Sequence, residues 1–314
     1  MIYRRFGRTD LQVSGLALGT VALGTSYGIA GSAGAGRPQE TDAIALLRYA
    51  ADQGVTLFDT APAYGDAERL AGLALGDRTD CVIATKVTVP PAEDRSGMTS
   101  SGLRAALEDS LAASRRMLRR ETLDIVQIHN ATPEILATTP VVDVLTENRA
   151  KGAIRFLGAS VYTADEAMAA IASGWIDVLQ VAFSVLDQRM RPQVFAAAIR
   201  ADVGVLTRSA FLKGALTERS QWLPPALHGL RDGADRARRT LGASWRQLPE
   251  TALRYCLSEE RVASVLTGAS TRSELDQALD AVAAGPLPTS EFAAAAGLAL
   301  GDETLIDPRR WPAL

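Results

Sequence analysis

Cysteine and histidine are scarce in this chain of 314 residues, which contains two of each. Cys81 and Cys256 lie far apart in apolar surroundings, a pattern typical of buried thiols in a reducing compartment rather than of a disulfide framework. The cysteines and histidines also lack the spacing of a structural zinc site. The sequence therefore predicts neither a disulfide nor a bound metal.

Long basic blocks and long apolar runs are absent as well. The formal net charge is −3, and the short arginine pairs at 115–116 and 119–120 are typical of one solvated helix face, so a nucleic acid is not favoured as a partner. No apolar run approaches the roughly 18–20 residues needed to cross a membrane. The opening string MIYRRFGRTD lacks the apolar core of a signal peptide. We expect a cytoplasmic protein that binds neither nucleic acid nor a membrane.

Glycine-rich segments near the N-terminus match two phosphate-binding motifs only in part. Gly19–Ser26 has the glycine spacing of a P-loop, but Thr25 stands at the position of the essential lysine. The glycines at 31, 34 and 36 neither follow a strand in the dinucleotide-binding pattern nor open a helix. What remains is metal-free chemistry that depends on a cofactor bound in another way.

Short apolar runs alternate with amphipathic segments of helical period, such as Thr41–Gln53, Ser100–Leu118 and Pro192–Arg200. Eight strand-then-helix units in a chain of this length favour a closed (β/α)8 TIM barrel of the α/β class over an open, doubly wound sheet. No repeat or linker divides the chain, so we predict a single domain over residues 1–314. The predicted strands are Leu16–Gly19, Val55–Asp59, Cys81–Lys86, Leu123–His129, Ile154–Ser160, Val178–Phe183, Gly204–Thr207 and Val262–Leu266.

Two long loops and the C-terminal tail are predicted to surround a substrate. Ser26–Pro38 is rich in glycine and alanine, and Pro90–Ser100 follows the third strand, so both lie at the C-terminal rim where such barrels carry their chemistry. Gly301–Leu314 is predicted to be an irregular tail with Trp311 as an apolar anchor. The predicted lining of the substrate pocket is Ala22, Tyr27, Val87 and Trp311.

Four polar residues, Asp59, Tyr64, Lys86 and His129, lie at or just beyond the ends of the second, third and fourth predicted strands. These ends meet at one rim of a barrel, so the four side chains are expected to lie together. An ammonium beside a tyrosine lowers the pKa of the hydroxyl, and a carboxylate can hold that ammonium in place. With a histidine that donates to a substrate oxygen, the group could protonate that oxygen as a hydride arrives at its carbon.

Each of the four residues, taken singly, also fits a structural role. Asp59 could cap a loop and Lys86 could be a surface charge, while Tyr64 and His129 could be packed in the core. Their occurrence together on consecutive strands favours the catalytic interpretation.

Several strings resemble the aldo-keto reductase superfamily: YRRFGRTDLQVSGLALGT, LFDTAPAYG, IATKV and DIVQIHN, then LGAS, LQVAFS, VLTRSAFLKGAL and VLTGASTRSEL. The resemblance runs from Tyr3 to about Leu279. It places the family's catalytic residues at Asp59, Tyr64, Lys86 and His129. It implies an oxidoreductase that uses NAD(P)(H), with Tyr64 as general acid or base, and a barrel floor closed by a β-hairpin at Met1–Val13.

The resemblance also implies an extended cofactor along the rim. Ser160 and Gln180 would meet the nicotinamide carboxamide, and Phe183 would stack on the ring, since the family usually has a tyrosine or another aromatic residue there. Val161 stands in place of an asparagine that often follows the serine, and Thr207–Gly214 would line the pyrophosphate. The implied cofactor-binding residues are Gly19, Thr20, Val21, Asp59, Ser160, Gln180, Phe183, Thr207, Arg208, Ser209, Phe211, Lys213, Gly214, Gly268, Ser270, Arg272 and Glu274.

The adenosine end departs from the family pattern. Ser270 stands where a basic residue often holds a 2′-phosphate, Glu274 replaces a neutral or basic residue, and Ala278 replaces an asparagine. A phosphate prefers the paired donors of arginine and is repelled by a carboxylate. Arg272 is close enough in sequence to compensate, and the family habit favours NADP(H) slightly over NAD(H).

The predicted function is hydride transfer between a nicotinamide and a small-molecule aldehyde or ketone, or the corresponding alcohol. A sugar or a keto-sugar of secondary metabolism is an alternative substrate. A cofactor-sensing regulatory subunit with little turnover, or a lyase or epimerase that reuses the same acid and base, is an alternative function. The protein is expected to be a monomer or a small homo-oligomer.

Overall fold

Eight parallel strands close into a barrel in the computed structural model, which describes residues 1–29, 36–91, 93–95 and 97–312. Each barrel strand pairs with its neighbours in chain order, and the last strand closes the barrel against the first. The strands are almost continuously buried because the helices cover their outer faces. After a hairpin of β1 Tyr3–Arg5 and β2 Gln12–Ser14, the barrel strands are β3 Leu16–Gly19, β4 Leu57–Asp59, β5 Val82–Val87, β6 Leu123–Ile128, β7 Ile154–Ser160, β8 Val178–Ala182, β9 Gly204–Arg208 and β10 Ser264–Gly268.

Helices connect the successive barrel strands, and several begin at side chains that cap the first turn. Thr99 accepts a hydrogen bond from the N–H of Gly102, and Thr163 and Glu166 form a reciprocal capping box. The α-helices of the described residues are α1 Val21–Gly24, α2 Glu40–Asp52, α3 Ala67–Leu75, α4 Ser100–Leu118, α5 Pro133–Leu136, α6 Thr139–Ala150, α7 Ala164–Ala172, α8 Val194–Arg200, α9 His228–Thr240, α10 Leu248–Leu257, α11 Arg272–Ala284, α12 Thr289–Ala295 and α13 Glu303–Ile306. Short 3-10 helices occur at Gly7–Thr9, Leu212–Gly214, Glu218–Trp222, Pro225–Leu227 and Ala296–Leu298.

The N-terminal hairpin closes the floor of the barrel, as the sequence predicts. β1 and β2 pair antiparallel, and Phe6 between them is fully buried. Gly7 has a φ of +56°, and a Cβ at this position would lie 2.2 Å from the backbone nitrogen of Gly204. Any side chain at Gly7 would therefore push the hairpin away from β9. Phe6 and Val13 pack on the apolar side chains of the barrel interior, which are Ala17, Leu57, Val82, Ala84, Ile125, Val178, Leu206 and Ala263.

The predicted barrel and its strand order are confirmed. All eight predicted strands are present with ends that differ by at most two residues, and Ser100–Leu118 and Ile154–Ser160 coincide with α4 and β7. The prediction of an irregular tail is wrong in part, because Glu303–Ile306 forms a helical turn in which the side chain of Asp302 accepts from the N–H of Thr304. Trp311 anchors the tail, since it is 8% exposed and its indole N–H donates to the carbonyl oxygen of Leu305.

The two predicted rim loops lie partly outside the described residues, namely at 30–35 within Ser26–Pro38 and at 92 and 96 within Pro90–Ser100. None of the described helices combines the length and apolar character required to cross a membrane. Cys81 and Cys256 are both buried, and their thiols are free.

Candidate active site

A cavity of about 1030 Å³ lies over the C-terminal ends of the barrel strands. Its lining includes the last residues of five strands, which are Gly19, Asp59, Ser160, Arg208 and Gly268. The volume is at the upper end of the ~300–1,000 Å³ found for small-molecule sites. It suits a ligand larger than a single small carbonyl compound.

The carboxylate of Asp59 is the centre of the polar side chains beneath this cavity. One oxygen accepts from the ammonium of Lys86 at 2.7 Å. The other accepts from the side-chain amides of Gln127 at 3.1 Å and Gln180 at 2.7 Å. The side chains of Lys86 and Asp59 are 0% and 2% exposed, so the ion pair is removed from water. Removing both charges from water costs free energy. Such a buried ion pair is therefore stable only when further hydrogen bonds satisfy the remaining donors and acceptors.

The ammonium of Lys86 lies between this carboxylate and the ring of Tyr64. Lys86 also donates to the carbonyl oxygen of Thr60 at 2.9 Å, and its Nζ is 4.8 Å from the centroid of the Tyr64 ring. Burial lowers the pKa of Lys86, while the negative charge of Asp59 acts in the opposite direction. Lys86 is thus a buried cation held in place within reach of a tyrosine that could carry negative charge.

The hydroxyl of Tyr64 and the imidazole of His129 both face the cavity. Tyr64 Oη lies 3.5 Å from His129 Nε2, and the two rings meet edge to face with centroids 5.6 Å apart. Burial raises the pKa of Tyr64 above its usual range, and the charge of Asp59 adds to this. Burial and then the charge of Lys86 lower the pKa of His129 to about 4. Both side chains are therefore uncharged at neutral pH, with the proton on Tyr64.

This result differs from the expectation that Lys86 lowers the pKa of Tyr64. The difference arises because the hydroxyl is desolvated and because the neighbouring ammonium is already paired with Asp59. A protonated tyrosine is nevertheless the form required to donate a proton.

The turn that carries Tyr64 is held close to α1. The N–H of Tyr64 donates to the carbonyl oxygen of Ala61, and the carbonyl oxygen of Tyr64 accepts from the N–H of Ala67 at the start of α3. A Cβ on Gly24 would lie 1.8 Å from that carbonyl oxygen, so only glycine permits this contact. The position of the Tyr64 hydroxyl thus depends on the close contact between the backbone at Gly24 and the backbone at Tyr64.

Strand alternation decides which predicted residues face the cavity. Successive side chains of a barrel strand point alternately inward and outward. Ala84, Val178 and Leu206 fill the barrel interior, so Lys86, Gln180 and Arg208, two residues further on, continue the inward rows. The predicted residues that line the cavity are Gly19, Val21, Ala22, Tyr27, Asp59, Tyr64, His129, Ser160, Gln180, Arg208, Ser209, Phe211, Lys213, Gly214, Gly268, Ser270 and Glu274.

Phe183 does not lie in the cavity, which corrects its predicted place against the nicotinamide ring. It is fully buried, with ring centroids 5.2 Å from Phe195 and 5.5 Å from Tyr255. Its position is three residues beyond the inward-facing Gln180, so its side chain turns to the outer side of the barrel. Arg208, which pairs with Ala182 across the strands, faces the cavity instead.

The same alternation explains two further corrections, because Val87 and Thr207 are buried on the outer faces of their strands rather than exposed in the cavity. Trp311 packs in the tail and also lies outside the cavity lining. Thr20 is buried, and its hydroxyl donates to the carbonyl oxygen of Asp59 at 3.1 Å, so it stabilises the backbone of Asp59 rather than lining the cavity.

Ser160 and Gln180 lie side by side on β7 and β8, with Ser160 Oγ 3.5 Å from Gln180 Oε1. This long contact leaves a hydroxyl donor and an amide acceptor that could turn to the two ends of a carboxamide. Further along the cavity, Ser209, Leu212 and Lys213 have left-handed backbone angles, with φ of 65°, 46° and 54°. Such turns expose backbone N–H groups to a common anion. The ammonium of Lys213 lines the same part of the cavity.

At the other end of the cavity, Glu274 is one of several charged lining residues, together with Arg219 and Arg246. Its carboxylate accepts from the N–H and hydroxyl of Ser270 at 2.8 and 3.0 Å, and it forms a 3.0 Å ion pair with Arg219. Arg272 points elsewhere. Its guanidinium lies 3.8 Å from the Tyr49 ring centroid and 3.7 Å from Asp276, and its side chain is 68% exposed.

The residues of the site that were not identified from the sequence include Gln127, Tyr162 and Arg219. Gln127 precedes His129 by two residues and so shares its inward face, which is a signal that alternation alone could have provided. Tyr162 follows Ser160 by two residues and so continues the inward row of β7, whereas Arg219 comes from a connecting segment and has no comparable periodic signal. In the described part of the chain, no group of three His, Cys, Asp or Glu side chains is arranged to hold a metal ion.

Comparison with known proteins agrees with this geometry. The chain matches the model of the Aldo/keto reductase family over residues 15–299. Among solved structures, the holo form of aldo-keto reductase AKR11C1 from Bacillus halodurans is similar with a TM-score of 0.80 and 27% sequence identity, over 99% of both chains. L-galactose dehydrogenase from Arabidopsis thaliana is 26% identical over 296 residues, which are 89% of this chain and 87% of that protein. The NADH-specific methylglyoxal reductase of Escherichia coli (strain K12) is 28% identical over 225 residues, 67% of this chain and 68% of that protein. The chain therefore belongs to the aldo/keto reductase family of oxidoreductases.

Proposed function

We propose that this protein, as a single barrel domain over residues 1–314, transfers a hydride between a nicotinamide dinucleotide and a small aldehyde, ketone or corresponding alcohol, with Tyr64 as general acid or base. The observation that carries the proposal is the arrangement of Tyr64 and His129, which face one cavity above the buried pair of Lys86 and Asp59. A neutral tyrosine, a neutral histidine and a buried ammonium are the groups needed to protonate an oxygen in a partly dry site.

A bound nicotinamide supplies or accepts the hydride. During carbonyl reduction, Tyr64 Oη donates its proton to the carbonyl oxygen, and His129 orients that oxygen through a hydrogen bond. The tyrosinate formed in this step is stabilised by the ammonium of Lys86, whose Nζ is 4.8 Å from the ring centroid. Asp59 keeps the ammonium in position. Alcohol oxidation starts from the deprotonated form of Tyr64 beside Lys86, and its oxygen accepts the proton of the alcohol hydroxyl.

The donor and acceptor groups along the cavity fit such a cofactor. Ser160 and Gln180 would hold the carboxamide, the turn at Leu212–Gly214 and Lys213 would hold the pyrophosphate, and Gly268 and Ser270 would border the adenosine. Gln180 also donates to Asp59 at 2.7 Å, so the position of the carboxamide is coupled to the catalytic residues.

The adenosine end favours NAD(H), in contrast to the slight sequence-based preference for NADP(H). Glu274 faces the cavity and can accept hydrogen bonds from ribose hydroxyls, whereas it would repel a 2′-phosphate. Arg272, which the sequence predicts to compensate, lies instead against Tyr49 and Asp276. The relative that is named an NADH-specific reductase is consistent with this assignment.

The test is to mix the purified protein with NADH or NADPH and a panel of carbonyl compounds that includes α-oxoaldehydes and aldoses, and to follow cofactor absorbance. Multiple turnovers with at least one carbonyl, and more efficiently with NADH, are expected. A single stoichiometric oxidation of bound cofactor would instead favour a regulatory subunit. Conversion of a substrate without net change in the cofactor would favour a lyase or an epimerase. An aldose as the best substrate would select the sugar-specific alternative.

A further inference from the structure

Arg208 places a guanidinium in the cavity, and no carboxylate of the described residues forms an ion pair with it. Its contacts within the described residues are the carbonyl oxygen of Val161 at 3.0 Å, the hydroxyl of Ser209 at 3.4 Å and the ring of Tyr162, whose centroid is 4.3 Å from Cζ. The carbonyl and the ring fix the orientation of the guanidinium without neutralising it. By contrast, the charge of Lys86 is paired with Asp59.

The position of Arg208 relates it to the two residues assigned to the carboxamide. Ser160 of β7 pairs with Gln180 of β8. Ala182, two residues after Gln180 on the inward-facing row of β8, pairs with Arg208 of β9. All three side chains line the cavity. Its field also reaches the catalytic group, since Arg208 contributes to the lowered pKa values of Lys86 and His129. Arg208 also donates to the carbonyl oxygen of Val161, the residue after Ser160, so a nicotinamide held at its carboxamide by Ser160 and Gln180 would have this guanidinium close by.

We propose that Arg208 makes the site distinguish the two redox states of the nicotinamide, so that the reduced form binds more tightly than the oxidised form. The proposal rests on the proposed function. The oxidised ring carries a positive charge and the reduced ring is neutral, so the two ligands differ by one charge at the atoms next to the guanidinium. The positive charge of the guanidinium repels the positively charged oxidised ring, whereas the planar face of arginine can pack against the neutral reduced ring.

This selectivity has a consequence for the direction of the reaction. A thermodynamic cycle links two quantities: the ratio of the dissociation constants of the oxidised and reduced cofactor, and the equilibrium between the bound oxidised cofactor with alcohol and the bound reduced cofactor with carbonyl. Tighter binding of the reduced cofactor shifts that bound equilibrium towards reduced nicotinamide and carbonyl product, and away from oxidised nicotinamide and alcohol. Arg208 thus favours alcohol oxidation on the protein, and it also slows the release of the reduced cofactor that this direction produces.

The experiment measures dissociation constants for NADH and NAD⁺ by calorimetry, with the wild type, Arg208→Met and Arg208→Lys. The wild type should bind NADH more tightly, and the ratio of the two constants should fall about tenfold in Arg208→Met, mainly through tighter binding of NAD⁺. Arg208→Lys should keep most of the ratio, because it keeps the charge. Arg246→Met is the matched control, since Arg246 also lines the cavity but does not belong to a barrel strand, and it should leave the ratio unchanged.

Equal weakening of both ligands in Arg208→Met would assign Arg208 a merely structural role and overturn the proposal, as would an unchanged ratio. If the folded wild type bound neither form, and neither form of NADP, the proposed function itself would fail. The two failures are therefore distinguishable.

Discussion

The ammonium of Lys86 lies 2.7 Å from a carboxylate oxygen of Asp59, and the two side chains are 0% and 2% exposed. The same carboxylate also accepts hydrogen bonds from the side-chain amides of Gln127 and Gln180. Asp59 therefore binds side chains of three other strands, β5, β6 and β8. The ion pair consequently supports both the fold of the rim and the chemistry above it.

The first prediction concerns removal of this cation. Lys86→Met leaves the buried carboxylate without its charged partner, which should destabilise the protein by about 3–5 kcal/mol. Turnover should also be lost, because no ammonium remains to stabilise a tyrosinate. Urea denaturation followed by tryptophan fluorescence measures the first effect. Lys151→Met, which removes a half-exposed i,i+4 pair with Glu147, is the control and should change stability by less than about 1 kcal/mol. Unchanged stability of Lys86→Met would contradict the buried pair.

The second prediction concerns pH and His129. Its pKa is lowered to about 4 in the folded protein, below the 6.5 of a free histidine. Between these values the unfolded chain binds a proton that the native protein does not, so stability falls as pH decreases from about 6.5 to about 4. Between pH 7 and pH 5 this residue lowers the free energy of unfolding by on the order of 2 kcal/mol. Denaturation at pH 5 and pH 7 should show a smaller pH effect in His129→Gln than in the wild type, and equal effects would contradict a buried neutral histidine.

The third prediction concerns Glu274 and the choice of dinucleotide. Glu274→Gln removes the charge that opposes a 2′-phosphate and releases Arg219 from its 3.0 Å ion pair. Affinity for NADPH should rise about tenfold or more, while that for NADH changes less. Arg272→Ala should change neither, because Arg272 lies against Tyr49 outside the cavity. Titration of each variant with both cofactors tests this. A wild type that binds NADPH more tightly than NADH would contradict the assignment.

The fourth prediction separates packing from cofactor binding at Phe183. Since the ring is buried against Phe195 and Tyr255, Phe183→Ala should destabilise the protein by about 3–5 kcal/mol. The milder Phe183→Leu should fold and should bind NADH within about threefold of the wild type. A large loss of NADH affinity in a folded Phe183→Leu protein would restore the stacking role that the sequence suggested.

The sequence was sufficient for the barrel, because each strand is a short apolar run followed by an amphipathic helix, and the polar residues at strand ends stand out against such runs. The inward or outward direction of the side chains follows from strand alternation. Counted from the apolar interior residue of each strand, alternation places Gln127 inside, agrees with the predicted inward position of Arg208, and places Phe183, Val87 and Thr207 outside.

The orientation of Arg272 could not be predicted in this way. Its side chain is exposed, and its choice between the cavity and the surface is decided by Tyr49 of α2, whose hydroxyl is itself bound to Asp276. The direction of the pKa shift of Tyr64 could not be predicted from the sequence either. It depends on whether burial of the hydroxyl outweighs the effect of the nearby ammonium of Lys86.

The most direct test of the account is the replacement of Tyr64 by phenylalanine, which removes one hydroxyl and leaves the ring in place. With the best carbonyl substrate found for the wild type, Tyr64→Phe should lose at least about 99% of kcat, while its dissociation constant for NADH stays within about threefold. Tyr3→Phe removes a hydroxyl from the hairpin at the opposite end of the barrel and should retain full activity. Retention of more than a few per cent of turnover by a folded Tyr64→Phe protein would contradict the assignment of Tyr64 as the proton donor.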